Sequence, residues 1–153
     1  MKKSLLVAIF VVYLLVVAAL TVLPTHFSRR NLPHADHINL VPLGYSFKCF
    51  QQAYVTYHDL TAFCLRNTLG NIALFLPFGF LFPLNFARYR SWQRVVGVAL
   101  LVSLGIETIQ FLLRFVGSPR AVDIDDVLLN TLGAWLGFLI WRYTGKRGKW
   151  GKG

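Results

Sequence analysis

Charge is scarce in this chain of 153 residues. Only 14% of its positions are Asp, Glu, Lys or Arg, whereas soluble domains carry about 25%. With 56% hydrophobic residues and a positive mean hydropathy, that scarcity excludes an ordinary soluble globule and describes a small integral membrane protein. Acid is scarcer still, with six Asp and Glu against sixteen Lys and Arg. The basic excess is interspersed among long apolar runs instead of forming a patch on a polar fold, so no nucleic-acid partner is expected; the expected partner is the bilayer. Cysteine is limited to Cys49 and Cys64. Without a CxxC pair they give no zinc signature, and two unpaired thiols are expected unless their segment faces an oxidising space. No GxSxG, HExxH, Walker or Rossmann pattern occurs, which removes the familiar hydrolase and nucleotide chemistries.

What is present is a series of apolar runs. Four spans are expected at about residues 4–23, 69–87, 95–114 and 126–143, each near the length that crosses a bilayer. The first is read as a transmembrane helix and not a cleaved signal peptide, because the run exceeds a typical apolar signal core although Val17 and Ala19 would suit cleavage. Pro77 and Pro83 predict a kink in the second span. Residues 24–66 form a long polar, aromatic-rich loop that holds short interfacial pieces, with Phe47, Phe50, Tyr54, Tyr57 and Phe63 as anchors at headgroup level. His34, Asp36 and His37 offer three metal-ligand types in this loop, but solvated loop side chains explain them better. Residues 144–153 form a basic, glycine-rich tail that is expected to be disordered.

With four spans, Lys2, Lys3, Arg88, Arg90, Arg94, Arg142, Lys146, Arg147, Lys149 and Lys152 share one side, with no acid among them. The other side has Arg29, Arg30, Lys48, Arg66, Arg114 and Arg120, together with five aspartates. Basic residues near span ends favour the cytoplasm, so both termini are expected there.

Four of the six acids, Glu107, Asp123, Asp125 and Asp126, fall between residues 103 and 137. On a helix Ser103, Glu107, Gln110 and Arg114 form one polar stripe, as do Asp126, Asn130, Gly133 and Gly137. An ionised group at the centre of a membrane helix costs on the order of 3 kcal/mol, so an intramembrane Glu107 points to a functional site. Span order then brings Asn71, Glu107, Gln110, Arg120, Asp123, Asp126 and Asn130 to the outer leaflet. Structural roles compete for several of them. Asp123 and Asp126 have the spacing of a helix N-cap and an acidic third position, Asn71 suits an interhelical hydrogen bond, and Gly133 with Gly137 reads as close helix packing.

These blocks resemble those of VanZ-like membrane proteins: INLVPL at Ile38 to Leu43, NTLGNIALFLPFGFLFP at Asn67 to Pro83, SLGIETIQ at Ser103 to Gln110 and RAVDIDDVLLNTLGAWLG at Arg120 to Gly137. They stand in family order. The resemblance implies an all-α bacterial cytoplasmic-membrane protein in which residues 1–143 form one membrane domain. It also implies a link to glycopeptide susceptibility, since the namesake is associated with low-level teicoplanin resistance. The recurrent polar positions map onto Asn39, Asn71, Glu107, Gln110, Arg120, Asp123, Asp126 and Asn130, the expected ligand-binding set.

Two functions follow. In the favoured one the protein is not an enzyme, and the outer polar pocket binds an envelope component such as a lipid-linked cell-wall precursor or a lipoglycopeptide. Arg120 would then meet phosphate, and no cofactor or metal is needed. In the alternative the protein is a membrane-embedded enzyme acting on a lipid-linked phosphate, with Glu107 as acid or base and Asp123 and Asp126 holding a divalent cation.

Overall fold

The structure is a computed structural model that describes residues 3–22, 38–56, 58–116 and 122–147. The chain runs α1 (Lys3–Val22), β1 (Ile38–Asn39), α2 (Gly44–Thr56), α3 (His58–Asn85), α4 (Trp92–Leu113), β2 (Val122–Asp123) and α5 (Ile124–Arg147), with short 3-10 turns at Ala87–Tyr89 and Arg114–Val116. Four helices are long and apolar enough to cross a membrane: Lys3–Val22, Ala62–Asn85, Trp92–Leu113 and Ile124–Gly145. The all-α membrane bundle expected from the apolar runs is what forms.

Packing sets the order of the helices. α3 and α5 lie side by side and parallel, because the α5 glycines fit against the α3 backbone. A Cβ on Gly133 would sit 2.2 Å from the Ile72 carbonyl oxygen, one on Gly137 2.0 Å from that of Leu76, and one on Gly79 1.8 Å from that of Ala134. Nothing larger than hydrogen fits. This is the small-residue packing that lets membrane helices approach closely without a hydrophobic driving force. α4 returns antiparallel along α5, and α1 packs on α3 through Phe10 and Tyr13. Phe10 meets Phe78 and Phe82 at ring separations of 6.0 Å each, while the Tyr13 hydroxyl donates to the Leu74 carbonyl at 2.7 Å. Val17, Phe75, Val95, Ala99, Ala134 and Phe138 complete this core, which runs from the middle of the bundle toward the basic residues except for Val17.

The region between the first two long helices differs from the expected loop. α2 and the first turns of α3 occupy much of it as a helical hairpin, and α3 begins at His58, well before residue 69. Cys49 and Cys64 are joined in a disulfide, with Cα atoms 5.9 Å apart, so the expectation of two unpaired thiols is overturned. The physical reason is the hairpin: α2 ends at Thr56 and α3 begins at His58, and folding one helix back on the other places each cysteine about two turns from those ends, facing the other. Both are buried against Phe63. α3 stays helical through Pro77 and Pro83 to Asn85. α5 continues to Arg147, so residues 144–147 of the supposed disordered tail are helix. His34, Asp36 and His37 lie outside the described residues, as does Arg120.

Candidate functional site

Two short pairings bring distant segments to one end of the bundle. β1 and β2 are parallel, with Ile38 opposite Val122 and Asn39 opposite Asp123. This lays the chain entering α2 across the start of α5. The carboxylates then divide the work.

Asp123 is buried. Its Oδ1 accepts from the Asn39 side-chain amide at 2.8 Å and from the Asp125 backbone N–H at 2.9 Å. The second bond caps α5, as the spacing predicted, because the first N–H groups of a helix have no partner within it. Burial is the largest influence on the Asp123 carboxyl and raises its pKa above the usual carboxylate value. The Asp125 N–H and the Asn39 amide pull it back, and the nearby Asp125 charge adds to the rise.

Asp126 does not close a capping box. The Asp123 backbone N–H instead donates to Glu107 Oε2 at 3.1 Å, and Asp126 turns toward α3, where it accepts from the Asn71 side-chain amide with the Asn67 side chain nearby. Its neighbours in charge are Glu107, Asp123 and Asp125. Glu107 is thus not a lone acid facing lipid. It is buried, six residues before the end of α4, roughly 9 Å along the helix axis, and it ties α4 to the start of α5.

Asp125 was absent from the sequence-derived site, yet it is fully buried at 0% exposure. Its Oδ1 accepts from the Leu43 N–H, and its Oδ2 accepts from the Ser46 N–H at 2.9 Å and the Ser46 hydroxyl at 2.8 Å. One carboxylate therefore caps α2 from another helix. Leu43 adopts φ 59° to reach it, a left-handed conformation that costs a non-glycine residue on the order of 1–3 kcal/mol. Pro42 precedes it and the Gly44 N–H returns to the Val41 carbonyl at 3.0 Å, the arrangement of a type II turn. Asp123 and Asp126 are three apart and share a helix face; Asp125 points elsewhere, and only its partner on a remote segment reveals its role.

One turn deeper the polar stripe continues. Asn130 Nδ2 donates to Ser103 Oγ at 2.8 Å, linking α5 to α4, while Asn130 Oδ1 is buried without a hydrogen-bond partner among the described residues. Gln110 is also buried, but its amide donates to the Thr21 carbonyl at 2.9 Å. It fastens α4 to the end of α1 and so is spent away from the carboxylates. Of the expected set, then, Asn39, Asn71, Glu107, Asp123 and Asp126 converge, Asn130 sits beneath them, and Gln110 serves the frame. Among the described residues, no group of three or more His, Cys, Asp or Glu is arranged to hold a metal ion.

A curated relative, Protein VanZ of Enterococcus faecium, is 36% identical over 81 residues, which is 53% of this chain and 47% of that protein. The match thus spans about half the length of the relative. No solved structure matches the chain. The family model described as VanZ/LLP1 matches residues 10–145, a range that contains the glycine-packed helix pair and all five converging polar residues, and this chain belongs to that family.

Proposed function

We propose that the carboxylate end of the bundle faces the outside of a bacterial cytoplasmic membrane, with both termini inside, and binds a polar headgroup of a cell-envelope component. A lipid-linked cell-wall precursor or a lipoglycopeptide has the required chemistry, and binding one would alter susceptibility to glycopeptides such as teicoplanin. The observation that carries this reading is the hydrogen-bonded convergence of half-buried Asn39, Asn71 and Asp126 with buried Glu107 and Asp123, drawn from four separate segments, at one end of the apolar spans. Packing alone does not require that much polarity, since the other half of the same bundle is built from phenylalanine. The Cys49–Cys64 disulfide supports the orientation, because such bonds persist in oxidising compartments, and the distribution of basic residues supports it independently. Arg120 is assigned the anionic part of the ligand, and the amides of Asn71 and Asn130 its hydroxyl or amide groups.

Native mass spectrometry of the chain extracted with its own membrane lipids tests this. A lipid-linked mass is expected to stay bound, and to be lost in Arg120→Ala and Asn71→Ala variants that still insert. Retention unchanged in both variants, or no retained lipid at all, would sink the assignment.

A further inference from the structure

The turn between β1 and α2 is unlike a water-facing loop. Leu40, Val41 and Leu43 are 71%, 65% and 59% exposed, Pro42 between them is exposed too, and Phe47 follows one turn later at 68%. No charged residue occurs from Ile38 through Phe47, and the first one after it is Lys48.

Much of the backbone beneath these side chains is hydrogen-bonded within the protein. The Val41 N–H donates to Asn39 Oδ1 at 3.2 Å, the Leu43 N–H to Asp125, and the Gly44 N–H to the Val41 carbonyl at 3.0 Å. Pro42 has no N–H. At the start of α2 the Ser46 N–H donates to Asp125 Oδ2 at 2.9 Å and the Phe47 N–H to the Leu43 carbonyl, also at 2.9 Å. Irregular backbone is tolerated at hydrocarbon depth only where its polar groups are satisfied within the protein, and the N–H groups of Val41, Leu43, Gly44, Ser46 and Phe47 meet that condition.

Its depth follows from Asp125. That residue is the second of the span Ile124–Gly145, so the turn it holds lies level with the start of the span. The exposed leucines around that level, Leu65 and Leu69 on α3 and Leu128 on α5, belong to the faces the bundle turns toward lipid. The apolar turn continues that surface.

We propose that residues 40–47 are a membrane-inserted hook, seated among the acyl chains of the phospholipid leaflet at the carboxylate end. Asp125 and Asn39 hold the hook from behind, the Cys49–Cys64 disulfide fixes the helix that follows it, and Lys48 reaches back to the headgroups. The hook does not depend on the ligand proposed above: loss of a bound lipid-linked mass leaves it unaffected.

The test is photo-crosslinking of the full chain in nanodiscs of phosphatidylglycerol and phosphatidylethanolamine, with benzoylphenylalanine placed singly at Val41, at Phe47, or at the exposed α2 residue Gln51. Phospholipid adducts are expected at Val41 and Phe47 with a yield at least about fivefold above Gln51, as hydrocarbon burial requires. Equal yields at all three positions, or crosslinks from Val41 and Phe47 to a second copy of the chain, would overturn the proposal. If a photoprobe variant fails to fold, hydroxyl-radical oxidation of the unaltered chain in the same nanodiscs gives the answer. Leu40, Val41 and Phe47 are expected to stay unoxidised, and oxidation of them at the level reached by the same residues in the denatured chain would overturn the hook.

Discussion

The two ends of this bundle are held together by opposite means. At the basic end, helices meet through phenylalanine rings, and through the middle of the bundle glycines allow backbone contact between α3 and α5. At the carboxylate end, the same helices meet through carboxylates that accept hydrogen bonds from amides on other segments. The first kind of contact depends on shape and tolerates no added volume. The second depends on donors being aimed at acceptors, and each lost acceptor leaves a buried donor behind. The second kind also caps α2 and α5 and ties α4 to α5, and the difference between the ends is the reason the ligand proposed above is placed at the carboxylate end.

The comparison breaks most severely at the glycine contacts. Gly79→Val should cost more than about 3 kcal/mol, because its Cβ would overlap the Ala134 carbonyl; thermal unfolding in detergent or failure to accumulate in the membrane would register it. If Gly79→Val melted like the unaltered protein, the close α3–α5 contact would be wrong. At the carboxylate end, Cys49→Ser with Cys64→Ser should cost about 3 kcal/mol, the loss expected for a cross-link closing a loop of about 15 residues. Adding reductant to the unaltered protein should produce a similar drop in melting temperature and no further drop in the double variant.

Asp125→Ala comes next, at about 2–3 kcal/mol, since it leaves the Leu43 and Ser46 donors buried without an acceptor. Hydrogen exchange should then quicken at the start of α2 and not in the phenylalanine core. Ser103→Ala sharpens the boundary between the two regions with a smaller loss of about 1 kcal/mol, the usual worth of an interhelical hydrogen bond in membranes. The smallest effect is one of pH. Because burial raises the Asp123 pKa in the fold, the folded state holds that proton to higher pH than the unfolded chain. The resulting contribution to stability is present below the ordinary Asp value and is lost as pH rises through the folded value. Asp123→Asn should flatten that limb of the melting-temperature profile; an identical slope in both proteins would remove Asp123 as its source.

Much of the carboxylate end was legible beforehand because helical spacing is arithmetic. Ser103, Glu107 and Gln110 had to share a face, and all three are buried; Gly133 and Gly137 had to share another, and both touch α3. The spacing offers Asp123 either as a cap or as a ligand group, and its Oδ1 does cap α5. What escaped was every contact made between segments remote in the chain. The cysteines looked unpaired because nothing in their spacing announces a hairpin, and Asp125 looked idle because its partners, Leu43 and Ser46, lie about 80 residues away in a stretch whose mixed polar and aromatic sequence shows no clean period.

The sequence by itself determined that the chain has four segments fit to cross a membrane, where three of them lie to within a few residues while the second begins at Ala62 and not at 69, and which polar groups ride on which helix face. Those properties follow from hydrocarbon thickness and from the fixed rise and turn of the α-helix. Only the tertiary structure decided which acceptor each donor meets, that α2 is clamped by one disulfide and one carboxylate, and that Gln110 braces α1 while Asn71 faces Asp126. A hydrogen bond reaches about 3 Å, and no one-dimensional pattern specifies a distance that short between segments so far apart in the chain.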